Sequence, residues 1–166
     1  VYGSWSEANF GCTARDLGFP FIAIGAGALL VQLFFLHPLV VRFGEGRVIT
    51  GGIFVLAVSM LLQPILREPY VAVLLMGTLM MGHSLAFPTS GALTSRTAPV
   101  ERQGSVMGLL MASNAFGRIV APPAFGLIFD LGHDAPWYAG AAMIALTVPI
   151  GLQVVALAGR PTPAAA

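Results

Sequence analysis

The chain has 166 residues, of which 57% are apolar and 9% are charged, with a mean hydropathy of +0.85. Soluble domains carry about a quarter charged residues, so this composition excludes an ordinary water-facing surface. The formal net charge is +1 and the arginines are scattered singly, which excludes a basic patch for nucleic acid. Cys12 is the only cysteine and the three histidines lie far apart, so we expect no disulfide, no metal site and no cofactor.

Apolar runs long enough to cross a bilayer recur along the chain. A spanning helix needs roughly 20 residues, and the charged residues leave runs near or above that length. The predicted spans are residues 19–41, 48–66, 70–95, 103–129 and 135–159. Residues 1–18 are too polar to span, and residues 160–166 are predicted to form a tail. The sequence therefore predicts an all-α fold, a polytopic transmembrane helical bundle whose five spans contact the lipid bilayer.

The arginines and aromatic residues between the spans predict the orientation. One side of the membrane receives Arg42, Arg47, Arg96, Arg102 and Arg160, and the other receives Arg15 and Arg67. The positive-inside rule makes the first side cytoplasmic. All Trp and Tyr residues fall on the opposite side: Tyr2, Trp5, Tyr70, Trp137 and Tyr138. Residues 1–18 are therefore predicted to be extracytoplasmic and the C-terminus cytoplasmic.

The loop between the first two spans, residues 37–49, places Arg42 and Arg47 around Gly44, a residue type that can take positive φ. On composition alone it is a positive-inside turn. The loop also resembles the cytoplasmic loop motif of the major facilitator superfamily. The matching positions are Arg42, Phe43, Gly44 and Arg47, and the departures are His37, Val41 and Glu45. The resemblance implies a gating loop, in which charges including Glu45 hold the cytoplasmic side closed.

The fourth span carries a second resemblance. Its entry, residues 99–108, is similar to the Pro-x-Glu-x-x-Gly-x-x-x-Gly start of the eleventh helix in this superfamily. The glycines and proline that follow resemble the antiporter motif: Gly108, Gly117, Pro122 and Gly126. Ala121 and Phe125 replace two of its glycines. Small residues on both faces predict close helix packing, and Pro122 with Pro123 predicts a kink, either static or used in transport.

Polar residues inside the spans are the candidates for a substrate pathway. Arg118 lies about 20 Å from the start of the fourth span, where a charge needs water or a partner. Met111 and Asn114 share its face. His83 in the third span is either a pathway or a packing residue. Gln63 and Gln153 are expected to form hydrogen bonds within the bundle. Gln32 is the exception that we expect to face a central cavity, because the resemblance places its helix beside that cavity.

The resemblance covers nearly the whole chain and implies a partial major facilitator fold, from the end of a seventh helix to a twelfth. Because the first residue is Val1, we expect a truncated N-terminus and a missing N-terminal half as partner. The motifs look most like bacterial drug:proton antiporters of the inner membrane, with a small organic substrate and protons as partners. Two alternatives stay open: an uptake permease for an anionic or polar metabolite, and a membrane anchor or sensor. No catalytic motif is present in the sequence, so we do not predict an enzyme.

Overall fold

The computed structural model of this chain describes residues 2–11, 14–66 and 68–158. Within these residues every regular element is helical, which confirms the predicted all-α fold. The α-helices are α1 (Tyr2–Phe10), α2 (Ala14–Leu30), α3 (Leu36–Phe43), α4 (Glu45–Leu62), α5 (Pro69–Thr97), α6 (Gln103–Leu131) and α7 (Ala135–Ala158). A π-helical turn, Val31–Phe35, joins α2 to α3, and a 3₁₀ turn, Val100–Arg102, leads into α6. Cys12, Arg67 and the predicted tail lie outside the described residues.

Four helical stretches in the described part are long and apolar enough to cross a membrane. They are Gly18–Phe43, Glu45–Leu62, Pro69–Thr97 and Val100–Leu131. The last predicted span lies on α7, a helix of 24 residues. The helical stretch from α2 to α3, helix α5 and the end of α6 run past the predicted span ends, because charged residues that stop an apolar run do not stop a helix. Helix α4 begins before its predicted span but ends at Leu62, before the predicted end at residue 66. The connector predicted at residues 42–47 is thus reduced to Gly44, between α3 and α4.

The polar N-terminal segment folds as a helix that packs on the bundle. Trp5 of α1 is fully buried, and its ring meets the ring of Trp137 in α7 edge to face at 5.6 Å. The indole N–H of Trp5 donates to Asp134 at 2.8 Å. These contacts attach α1 to the start of α7, at the predicted outer side of the membrane.

The centre of the bundle is the pair α4 and α5, which cross closely at two glycines. A Cβ on Gly52 would lie 2.8 Å from the carbonyl oxygen of Gly82, and a Cβ on Gly82 would lie 2.7 Å from that of Gly52. Further along the same interface the hydroxyls of Ser59 and Thr78 form a hydrogen bond of 2.9 Å. Small residues therefore permit the approach, and polar side chains fix its register.

Gln63 closes the outer end of this interface. Its side chain is fully buried and donates through Nε2 to the carbonyl oxygen of Ala72 at 3.1 Å. The prediction of a hydrogen bond within the bundle is confirmed for Gln63. Gln153 of α7 is exposed.

The other helices surround α4 and α5. Helix α7 packs along α4, and α2 packs along α5. Helix α6 meets its neighbours near its two ends. Gln103 donates to the carbonyl oxygen of Ser95 in α5 at 3.1 Å, and Phe125 lies 3.7 Å from the position that a Cβ on Gly140 of α7 would take. Residues 111–120 between these contacts are all exposed.

Candidate functional site

The predicted gating loop is a single-glycine joint between two helices. Gly44 has φ 83° and ψ 153°, a combination that is almost exclusive to glycine. Its N–H bonds to the carbonyl oxygen of Val40 at 2.9 Å, and its own carbonyl accepts from Val48 at 3.2 Å. The joint therefore ends α3 and starts α4 with no intervening loop. Positive φ at Gly44 is what the residue type allows.

The charges at this joint include a pair that the loop sequence does not indicate. Glu45 pairs with Arg96, at the C-terminal end of α5, with an N–O distance of 2.8 Å. Arg42 lies over the ring of Phe43 at 5.6 Å from the centroid, and Arg47 is exposed. Glu45 sits at the N-terminus of one helix and Arg96 at the C-terminus of another, so both helix dipoles favour the charges. The sequence search missed Arg96, because loop spacing does not show where a distant helix ends.

Gln32 lies in the π-helical turn beside this pair. The turn carries an i to i+5 hydrogen bond, from the N–H of Leu36 to the carbonyl oxygen of Val31. Such turns occur often at functional sites. Gln32 lines a cavity of about 240 Å³, here called the Gln32 cavity. Its lining residues are Gln32, Leu36, His37, Val40, Glu45, Pro88, Thr89, Ala92 and Arg96.

The candidates on α6 lie on its exposed middle section. Met111, Asn114 and Arg118 follow helical spacing along one face, and all three are exposed. The Gln32 cavity contains none of them. His83 of α5 is also exposed, and its ring stacks on that of Phe87 at 5.5 Å with an interplanar angle of 8°. The structure therefore brings Gln32 to the same cavity as Glu45 and Arg96 and leaves Arg118, with its neighbours, on a separate surface.

The motif glycines of α6 also face open space. A Cβ added at Gly108, Gly117 or Gly126 would meet no atom within 4 Å. Pro122 and Pro123 lie inside α6, which continues as a helix to Leu131. Close packing on these small residues therefore stays a prediction.

A second cavity lies between the aromatic residues at the predicted outer side. Its volume is about 290 Å³, and we call it the Trp137 cavity. Its lining residues are Tyr2, Met60, Met76, Leu79, Phe125, Pro136 and Trp137. Met76 of α5 and Phe125 of α6 come from separate helices, and the fold brings them to one site.

In the described part of the chain, no group of three or more His, Cys, Asp or Glu residues could hold a metal ion. The candidate residues described above are apolar, amide and cationic side chains on long apolar helices. Fold and site together define an integral membrane protein that contacts the lipid bilayer.

Comparison with known proteins identifies the family. The sequence profile of the Major Facilitator Superfamily matches residues 3–166, and the chain belongs to this family of transporters. It is 26% identical over 156 residues to Multidrug resistance protein 2 of Bacillus subtilis (strain 168), an alignment that covers 93% of this chain and 38% of that protein. The chain thus spans about two fifths of the length of this relative. No solved structure matches the chain significantly. The resemblance drawn from the two motifs is confirmed.

Proposed function

We propose that this protein exports small organic molecules across a bacterial inner membrane in exchange for protons. The observation that carries the proposal is the similarity to Multidrug resistance protein 2 over 93% of the chain. Transport proceeds by alternating access, in which two halves of the whole transporter rock around a central site. The chain described here contributes the second half, with its C-terminus in the cytoplasm.

The exposed face of α6 forms this chain's part of the substrate pathway. A cation in the middle of a spanning helix costs about 2.5–3.5 kcal/mol on insertion scales, so it is retained where water, a partner or a ligand contacts it. Arg118 occupies such a position and is exposed in this chain. Met111 and Asn114 on the same face add a soft apolar surface and an amide, a combination that accepts ligands of varied shape.

The Glu45–Arg96 pair acts as a latch on the cytoplasmic side. It links α4 to α5 next to the Gly44 joint and the π-helical turn, which are the two irregular points of the neighbouring backbone. A rocking motion that separates these helix ends would break the pair. The predicted proton exchange requires acidic groups elsewhere in the transporter, because the acids in this sequence lie outside the predicted spans.

Dye accumulation in whole cells tests the direction and the coupling. Cells that express the full gene product containing this chain are expected to hold less of a fluorescent organic cation than control cells. A protonophore should remove the difference. Greater accumulation than in control cells would contradict export and favour an uptake permease, and the absence of any proton-dependent flux would favour an anchor or sensor.

Arg118→Ala tests the pathway. Export is expected to fall about tenfold or more, since a hydrogen bond to a charged group contributes about 1.5–3 kcal/mol. The amount of protein in the membrane should not change. Arg102→Ala is the matched control, because Arg102 is also exposed but lies in the 3₁₀ turn before α6. Unchanged export by Arg118→Ala would contradict a role for this residue in the pathway.

A further inference from the structure

A cavity that opens sideways from the helical bundle lies between α4 and α7. Its volume is about 470 Å³, and we call it the α4–α7 groove. Its lining residues are Phe54, Ala57, Val58, Leu61, Tyr138, Ala141, Ala142, Ala145 and Val148. The hydroxyl of Tyr138 is the single polar side-chain group among them, and none of these residues lines the Trp137 cavity. The groove therefore favours an apolar occupant.

Differences in side-chain size give this groove its shape. Ala141, which is 7% exposed, lies at its floor, and the rim carries Phe54, which is 62% exposed, and Tyr138, which is 45% exposed. Helices α4 and α7 are in direct contact, because the Sδ of Met60 lies 3.0 Å from the position that a Cβ on Gly140 would take. The groove is therefore a trough along a closed helix pair, and it opens away from the bundle.

The groove runs from the predicted outer end of the two helices to their middle. On α7 it begins at Tyr138, in the first turn, and it reaches Val148, which lies about 15 Å further along at 1.5 Å per residue. On α4, which runs in the opposite direction, it begins at Leu61, next to the last residue, and reaches Phe54 at mid-helix. The hydrocarbon core of a bilayer is about 30 Å thick, so one leaflet takes up about 15 Å of it. The groove therefore extends over the depth of the outer leaflet.

The polar side chains at this depth of α4 and α7 are satisfied within the bundle, apart from the tyrosine at the outer end. Ser59 is buried, and its hydroxyl bonds to that of Thr78 in α5. The hydroxyl of Thr147 donates to the carbonyl oxygen of Ile144 in its own helix at 2.7 Å. Arg118, by contrast, is exposed in the middle of α6, where a charge needs water or protein around it. The rest of the transporter is therefore expected to cover α6, and the face of α4 and α7 is left to the lipid.

From these observations we propose that the α4–α7 groove holds one acyl chain of a phospholipid from the outer leaflet. The ester end of the chain lies at Tyr138, because a tyrosine at this level keeps its ring in the lipid and its hydroxyl at the interface. The methyl end lies between Phe54 and Val148, at the bilayer centre. The site does not depend on the direction of transport or on protons, so it stands independently of the proposed export function.

The shape of the groove distinguishes this chain from the lipid around the rest of the protein. A chain in a trough contacts the floor and both walls, whereas a chain against a convex helix surface contacts protein on one side. Each additional pair of atoms in contact adds dispersion attraction, and these small terms sum. The chain in the groove should therefore stay bound longer than its neighbours in the bilayer.

Photocrosslinking from within the bilayer tests the proposal on the full-length transporter. The protein is placed in nanodiscs that contain a phosphatidylethanolamine with a diazirine at the methyl end of a palmitoyl chain, and peptide mass spectrometry identifies the labelled residues. Ala145 and Val148 should be labelled about threefold or more above Leu146, as a handful of additional dispersion contacts allows. Leu146 is 73% exposed but lies outside the groove, so lipid that only surrounds the protein should label it most. Labelling of Leu146 at or above the level of Ala145 and Val148 would overturn the proposal.

A second probe, with the diazirine next to the ester group, tests the direction of the chain. It should label Leu61 rather than Val148, because Leu61 lies at the outer end of the groove. The reverse pattern would place the headgroup at the other end of the groove and overturn the proposal. Neither probe requires a variant of the protein.

Two variants then separate the groove from the surface beside it. Ala145→Phe fills the groove and should lower the labelling of Val148 and Leu61 to the level of Leu146. Leu146→Phe adds the same ring at the next position, outside the groove, and should leave the labelling of Val148 and Leu61 as it is in the wild-type protein. Undiminished labelling of Val148 in Ala145→Phe would overturn the proposal. So would a groove that no probe labels, which is the result expected if a second copy of the chain or another part of the transporter covers it. These outcomes do not depend on what the dye experiment shows for export.

Discussion

At the residue scale, the contacts that set the packing come from glycines, hydroxyls and amides rather than from large apolar side chains. Gly52 and Gly82 bring α4 and α5 together, and Ser59 bonds to Thr78 along the same interface. This is expected in a bilayer, where lipid is as apolar as leucine and close backbone contact distinguishes one neighbour from another. The sequence singled out the glycines of α6 instead, because they matched a motif. A lone glycine pair has no sequence pattern, since the pairing depends on the register of two helices.

Gly52→Ala should destabilise the protein. The added Cβ would lie 2.8 Å from the carbonyl oxygen of Gly82 and 3.0 Å from the Cβ of Ala86, so the helices must separate. Overpacking of this kind costs about 1–3 kcal/mol. Thermal unfolding followed by fluorescence-detected size exclusion measures the effect as a lower Tm.

Gly51→Ala is the matched control for this substitution. A Cβ at Gly51 would meet nothing within 4 Å, while both variants gain the same helix propensity, up to about 1 kcal/mol. The control should therefore have a Tm equal to or above that of the wild-type protein. Equal Tm values for the two variants would show that the close crossing of α4 and α5 does not exist in the membrane.

At the element scale, hydropathy could not show which helix ends lie together on the predicted cytoplasmic side. Hydropathy located the long helices, but most of them are apolar on all sides, so no stripe indicates which face meets which neighbour. The Glu45–Arg96 pair joins residues 51 positions apart in the sequence, at the ends of two antiparallel helices. The motif resemblance drew attention to this loop and its glycine, but it did not indicate Arg96 as a partner of Glu45.

Glu45→Gln tests the latch. The free energy of unfolding should fall by less than about 1 kcal/mol, because Arg96 is 75% exposed and solvent screens the pair. Export should nevertheless change clearly in rate, since the pair is proposed to bias the equilibrium between two conformations. Both quantities can be measured on the same purified protein after reconstitution in vesicles.

Glu101→Gln is the control for charge alone. Glu101 is an exposed glutamate in the 3₁₀ turn at the same predicted side of the membrane. The Glu101→Gln variant should have the same export rate and the same stability as the wild-type protein. A Glu45→Gln variant with unchanged export would show that the pair does not control the conformational equilibrium.

At the scale of the whole molecule, the helical structure that the membrane requires could be predicted from the sequence. Without water in the bilayer core, backbone groups must bond within a segment, so long apolar runs become helices whatever their partners are. The all-α fold and the family follow from this rule and from two motifs. The docking of α1 on the bundle does not follow from them, because the hydrogen bond between Trp5 and Asp134 joins residues 129 positions apart. The Trp137 cavity could not be predicted from the sequence either, because its lining residues are also far apart in the chain.

The orientation in the membrane can be checked with two cysteines, one in the 3₁₀ turn before α6 and one at the last residue of α6. Val100 is 80% exposed and Leu131 is 86% exposed. In a protein without other reactive cysteines, with Cys12→Ser, a membrane-impermeant maleimide should label Leu131→Cys in intact cells. Val100→Cys should be labelled only after the cells are made permeable. The reverse result would place the C-terminus outside the cytoplasm.

The bonds between α4 and α5 also bear on how the protein is made. A hydroxyl or an amide that leaves the translocon alone must lose its hydration without a partner. Ser59 and the Nε2 of Gln63 find their partners within the next helix of the chain, at Thr78 and Ala72. The two helices can therefore leave the translocon together as a helical hairpin with these two bonds formed. We expect the pairing of α4 with α5 to precede the arrival of α7 during biogenesis.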